Sequence, residues 1–408
     1  MSPELIEFFN VVLRFTHVVA AIMWIGNSLL FTWMEINFIK DPNKNAKGAL
    51  GHMNMLHAGG VYFLEKRVID PTDIPAKLHV FKWQSYTTWL SGLVLLILTF
   101  YTRSGSLLLD PAKTDMPGWQ ASVISLLSLI GFWFVYDGVW RSPLKKKPLY
   151  AVATLVVIFL AYALWINGIF NGRFVYLQLG AMIATTMSAN VRTVIIPNQK
   201  KIMANLLEGK PHDLEIGHQA KMRSLTNHYV TFPVIFLMLS AHFPMLYGSE
   251  HNILLMMIIC SCLVIIKYMM NIYNEFSEWL HVSIATFVLG VFAVIVVLSL
   301  PGSGSANGTM PALSEDAIKG KALFSSKGCS ACHLPTPTTI APTLTGLYGH
   351  EVELQDGSKV TADEDYIRES ILNPGGKIVR GFGPTMPGLA TILSDDDVDE
   401  LVEYVKSL

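Results

Sequence analysis

The sequence predicts an all-α fold: a multispan transmembrane domain of about eight helices, followed by a small helical domain. Three observations predict it. The 408-residue chain is 51% hydrophobic and 15% charged, too apolar for an ordinary soluble protein. Its apolar residues gather in blocks near the ~20 residues that carry a helix across hydrocarbon. The last hundred or so residues lose that character beyond a tether rich in Gly, Ser and Pro, at about 301–311. A net charge of −1 gives no reason to invoke nucleic acid. Four cysteines are too few for a disulfide framework. The first apolar stretch follows Glu4 and Glu7 with no basic segment before it, so it reads as a retained span.

The predicted spans are 8–31, 84–101, 119–140, 149–169, 174–196, 228–247, 253–273 and 281–300. Lysine and arginine set the orientation. Lys40, Lys44, Lys47, Lys66, Arg67, Lys77 and Lys82 follow the first span, and Arg141, Lys145, Lys146 and Lys147 the third. Lys200, Lys201, Lys210, Lys221 and Arg223 follow the fifth. The loops between hold little: Arg103 and Lys113, then Arg173. Glu275 and Glu278 after the seventh span break the trend. The sum places both termini on the non-cytoplasmic face, which in a bacterium is the periplasmic side of the inner membrane.

Beyond the tether, Gly328-Cys329-Ser330-Ala331-Cys332-His333 holds a Cys-x-x-Cys-His motif. Its two thiols suit thioether bonds to haem vinyl groups, and the adjacent His suits the iron, so one covalent haem c is expected. Met386, in Gly383-Pro384-Thr385-Met386-Pro387-Gly388, offers a thioether ligand for the opposite face. Zinc would need two more ligands, and Cys260 and Cys262 lie in an apolar run. A thioredoxin-like pair would need a βαβ setting, which is lacking. Ser314-Glu315-Asp316 starts a helix, 363–372 forms a second, and Ser394 before Asp395, Asp396 and Asp397 caps a third. Val398, Leu401, Val402 and Val405 share one face of the last. These parts make a class I cytochrome c domain over 312–408, after a membrane domain over 1–300. Ala341-Pro342-Thr343-Leu344-Thr345-Gly346-Leu347-Tyr348-Gly349 and Glu369-Ser370-Ile371-Leu372-Asn373-Pro374 resemble the cytochrome c module fused to some bacterial oxidase second subunits. That resemblance implies that the Pro342 carbonyl orients the His333 ring. The binuclear copper motif of those subunits is missing, so the module is a transferred one.

The first 300 residues resemble the bacterial urate hydroxylase (urate oxidase) membrane domain with a C-terminal cytochrome c. His57-Ala58-Gly59-Gly60-Val61-Tyr62-Phe63-Leu64-Glu65-Lys66, Leu78-His79-Val80-Phe81-Lys82-Trp83, Val135-Tyr136-Asp137-Gly138, Ile195-Ile196-Pro197-Asn198-Gln199, Thr226-Asn227-His228-Tyr229 and Ala241-His242-Phe243-Pro244 carry the likeness. It implies oxidation of urate to 5-hydroxyisourate, with electrons leaving through the cytochrome to a soluble cytochrome c or a terminal oxidase. Residue spacing and charge alone support less: a multispan oxidoreductase in a lipid bilayer with an outward haem c. A quinol-oxidising electron-transfer protein and an oxidase-docking cytochrome subunit without urate activity therefore stay open.

Ionisable residues inside spans are functional candidates. His17 and His242 fall at similar depth on antiparallel spans, as axial ligands of a b-type haem would. His228 lies fourteen residues before His242, about 21 Å along a helix, which suits a second haem. Its opposite ligand would be His281, His79 or His57. The plainer alternative is that His17 and His242 are hydrogen-bonded packing groups. For a planar anionic substrate, the segment 47–83 offers His57, His79, Glu65 and Lys82 as catalytic candidates. Gly59-Gly60 there would let backbone approach a ligand. The plainer reading is a basic loop against headgroups. Asp137 is expected to pair with Arg141, and Asn190 and Arg192 to line an inner cavity. Lys267 is expected to snorkel. Cys260 and Cys262, two apart on a helix, point to different faces.

Overall fold

The computed structural model describes residues 3–39, 49–67, 79–103, 107–110, 113–210, 213–300, 314–333, 341–383, 386–389 and 393–408. The chain divides into two compact units, Met1–Leu300 and Pro301–Leu408. The tether at 301–311, Lys40, Lys44, Lys47, Lys77 and Leu78, and Pro384 and Thr385 of the methionine loop lie outside the described residues.

The first unit opens with α1 (Pro3–Asn37), then an antiparallel hairpin of β1 (Ala49–His57) and β2 (Gly60–Arg67). α2 (Trp83–Thr99), α3 (Gly118–Arg141), α4 (Pro148–Asn167) and α5 (Gly172–Asn190) follow. α6 (Ile196–Leu207), α7 (Leu214–Tyr229), α8 (Thr231–Leu239), α9 (Pro244–Tyr247), α10 (Asn252–Asn271) and α11 (Trp279–Leu298) complete it. Six helical stretches among the described residues are long and apolar enough to cross a membrane: Phe8–Asn37, Gly118–Arg141, Pro148–Asn167, Gly172–Leu207, Asn252–Asn271 and Trp279–Leu298. This is a membrane protein by its helices. The other two predicted spans are also helical, but α2 is short and the span at 228–247 is broken. Pro244 is the cause at its second break: it lacks an N–H and starts a new turn after the 3₁₀ turn Ser240–His242.

α5 is the central helix of this unit. Phe174, Val175, Tyr176, Leu179 and Met182 are fully buried on it, against α3 and α8. At Gly180 a Cβ would stand 2.9 Å from Leu237 Cβ, so glycine there lets α5 and α8 approach. Gln178, fully buried, is satisfied by α3: Ser125 Oγ donates to its Oε1 (2.6 Å) and its Nε2 donates to Ser128 Oγ (2.8 Å). Such a paired network fixes how α3 and α5 mate. α5 continues through a π-helical turn at Val191–Ile195 into α6. Pro197 explains the widened turn, since it offers no N–H and its ring pushes back the preceding turn.

The hairpin adds two strands to 47–83, a segment the sequence offered only as a loop. Its turn is Ala58-Gly59, at φ 50° and 79°. Two consecutive positive-φ residues make the tight turn whose twist matches paired strands. Gly59 is therefore explained by the turn itself. The hairpin joins the end of α1 through the Ile39–His52 backbone pair and a Lys66–Glu35 ion pair (2.6 Å).

The second unit holds α12 (Glu315–Ser326), a 3₁₀ turn at Cys329–Ala331, a short β3–β4 hairpin (Glu351–Glu353, Lys359–Thr361), α13 (Glu364–Leu372) and α14 (Asp395–Lys406). Ser314, Asp363 and Ser394 each accept a backbone N–H at a helix start. Ser394 and Asp397 form a reciprocal capping box. Val398, Leu401, Val402 and Val405 are buried on one face of α14, packed with Phe324, Tyr366 and Ile367.

Candidate functional site

The second unit encloses a cavity of about 530 Å³, lined by Cys329, Cys332, His333, Pro342 and Met386 together with apolar residues such as Leu344 and Leu389. Its size is that of a cofactor site. Gly328, at φ 82°, turns the chain so that the 3₁₀ turn carrying Cys329 can start. Pro342 O lies 2.9 Å from His333 Nδ1. A carbonyl only accepts, so Nδ1 carries the proton and donates, and Nε2 is left as the basic nitrogen. That is the tautomer a metal ligand needs. Neither Cys329 nor Cys332 is in a disulfide. Burial pushes the Cys329 thiol up. Two thiols, an oriented imidazole and a thioether around one apolar cavity fit a covalently attached haem c.

In the membrane unit two of the candidate histidines, His228 and His17, have protein partners. His228 is 2% exposed, with Nδ1 3.2 Å from Thr32 Oγ1 and Nε2 3.0 Å from Asn271 Oδ1. Both ring nitrogens thus tie α7 to α1 and α10. His17 Nδ1 lies 2.9 Å from Thr88 O and 3.1 Å from Ser91 Oγ, seated against Gly92 of α2. His242 sits exposed at the end of the 3₁₀ turn packed near α5. His17 is therefore held by the α1–α2 pair.

Two of the four substrate-site candidates stand well apart on the hairpin. His57 is exposed at the hairpin tip, paired with Gly60, while Glu65 pairs with His52, five rungs away. Five rungs are roughly 17 Å. His79 is exposed, and Lys82 Nζ stands 5.3 Å over the Trp83 ring at the start of α2.

The strongest buried charge in the bundle was not legible as such. Asp137 Oδ2 meets Arg141 (2.5 Å), as expected, but Oδ1 also meets Arg223 Nη2 at 2.6 Å. Arg223 is 5% exposed, and its guanidinium lies 4.9 Å over the Tyr136 ring. The signal for it is helical spacing: Ile216, Ala220, Arg223 and Asn227 are the buried face of α7. Lys267 is also buried, with its Nζ 5.2 Å over the Phe232 ring, which corrects the snorkelling expectation. Asn190 lines a cavity and is fully buried, whereas Arg192 is exposed.

An apolar helical bundle joined to a haem-binding helical domain defines a membrane-associated redox protein. The urate oxidase N-terminal family matches residues 3–299. The chain belongs to that family. The cytochrome c family matches residues 317–408, which implies covalently attached haem c. No curated protein matches the chain.

Proposed function

We propose that the protein oxidises urate to 5-hydroxyisourate and passes the electrons to its own haem c. The observation that carries this reading is the presence, in one chain, of a urate oxidase N-terminal domain and a cytochrome c domain. The reaction balances as urate plus water giving 5-hydroxyisourate, two protons and two electrons. A bound haem c supplies a one-electron acceptor at the cavity of the second unit. Cys329 and Cys332 would anchor it through thioethers, and His333, through its free Nε2, and Met386 would hold the iron. Pro342 holds the imidazole in register by accepting a hydrogen bond from Nδ1–H. A soluble cytochrome c or a terminal oxidase then takes the electrons onward.

His57 and Glu65 stand five rungs apart on the hairpin and so do not form one catalytic pair as they stand. Among the four candidates, Lys82 beside Trp83 is the pair that suits a planar anion, a cation next to an exposed aromatic face. A direct test supplies urate anaerobically to the purified protein with soluble ferricytochrome c in excess. The reading expects two cytochromes reduced per urate consumed and oxygen from water in the product. Urate left unconsumed while a quinol reduces the acceptor would overturn it.

A further inference from the structure

A second cavity, about 420 Å³, lies inside the membrane unit between α3, α4, α5, α7, α8 and α10. Its walls are Phe132, Phe159, Ile183, Met256 and other apolar side chains, and a small polar group closes one end. That end is Asn190, fully buried, with Tyr136 and Asn227.

The hydrogen bonds there fix every orientation. Asn227 Nδ2 donates to Met187 O (2.9 Å), so Asn227 Oδ1 is an acceptor. Asn190 Nδ2 donates to that Oδ1 (2.9 Å) and to Tyr136 Oη (3.1 Å). Both amide hydrogens of Asn190 are spent, and its Oδ1 has no partner among the described residues. A buried carbonyl oxygen left unpaired asks for a donor. Tyr136 Oη, already accepting, keeps its own hydrogen to give. The pair thus presents one acceptor and one donor side by side, which is the complement of a hydroxyl group.

The mouth shows where the ligand comes from. Val152 and Val156 on α4 and Ile265 on α10 line the cavity and are 44%, 49% and 42% exposed. Both helices are long and apolar enough to cross a membrane, so these faces front lipid. Among the lining residues none is charged. An anion such as urate would lose its hydration there with no cation on the wall. A neutral, apolar molecule with a hydroxyl head would not.

We propose that this cavity is a lateral, lipid-facing binding site for a quinol, whose hydroxyl donates to Asn190 Oδ1 and accepts from Tyr136 O–H. This site is separate from the urate chemistry and stands whether or not urate is the substrate.

The test uses the full-length holoprotein in nanodiscs, kept reduced with ascorbate so that no electron transfer confuses the binding. Decylbenzoquinol and its dimethyl ether are the probes. The ether keeps the apolar body and an acceptor oxygen but has no hydrogen for Asn190. One quinol per chain is expected, at least about tenfold tighter than the ether. Val156→Trp, a change at the lipid-exposed mouth, is expected to weaken quinol binding at least about tenfold with the haem spectrum unchanged. Tyr136→Phe is expected to weaken it several-fold. Equal binding of quinol and ether, or quinol binding untouched by Val156→Trp, would overturn the proposal. Displacement of the quinol by urate would also overturn it and give the cavity to the purine.

Discussion

At the scale of single residues, the chemistry divides between an oriented imidazole and a buried ion pair. Met386 lines the haem cavity with His333, so Met386→Ala is expected to keep haem covalently attached but lower its midpoint potential. Redox titration of the purified variant checks this, because a His/Met pair raises potential. Asp137 is held by Arg223 at 2.6 Å, and both are nearly buried. Removing Asp137 alone strands a buried guanidinium. Asp137→Ala is therefore expected to destabilise the bundle by about 3–5 kcal/mol, and Asp137→Leu with Arg223→Met by much less. Thermal unfolding of both variants in detergent measures the difference. The sequence made the Asp137–Arg141 contact legible because it is local. Arg223 was hidden because its partner is 86 residues away and α7 has few apolar residues to mark its buried face.

At the scale of elements, the last helix was the most legible part of the chain. Its cap, its acidic first turn and its apolar face are all written locally in 394–405. What the sequence left out is how tightly it meets α12. A Cβ at Gly320 would run into the Glu400 carbonyl. Gly320→Ala is expected to destabilise the cytochrome unit by about 1–3 kcal/mol, read from chemical unfolding followed at the haem band. The helix ends also set an acid limit. Lys406 Nζ, 2.6 Å from Glu364, holds that carboxyl below the ordinary carboxylate range, and the Ser394 cap does the same for Asp397. Both values are lowered by folding. Their stabilisation is present above the ordinary carboxylate range and lost as pH falls through the lowered values. Glu364→Gln should flatten part of that acid loss in a pH series of unfolding curves. The β1–β2 hairpin was illegible for a different reason. Its second strand is mostly exposed, so no alternation of buried and exposed residues advertises it. The break within 228–247 could have been read from Pro244, but the surrounding apolar residues masked it.

At the scale of the whole molecule, two units with different solvents share one chain. Long apolar helices with lipid-fronting faces make the first, and a capped, charged, haem-binding domain makes the second. The haem motif could be read from five residues, since its chemistry is carried by residue type and spacing. The substrate site could not, because the binding of a planar anion needs groups brought together by tertiary packing. The measurement that tests the central claim most directly is an anaerobic optical spectrum of the oxidised, purified protein before and after urate. The account predicts reduction of the c-type band by urate and not by xanthine. A c-type band unmoved by urate but promptly reduced by a quinol would contradict it.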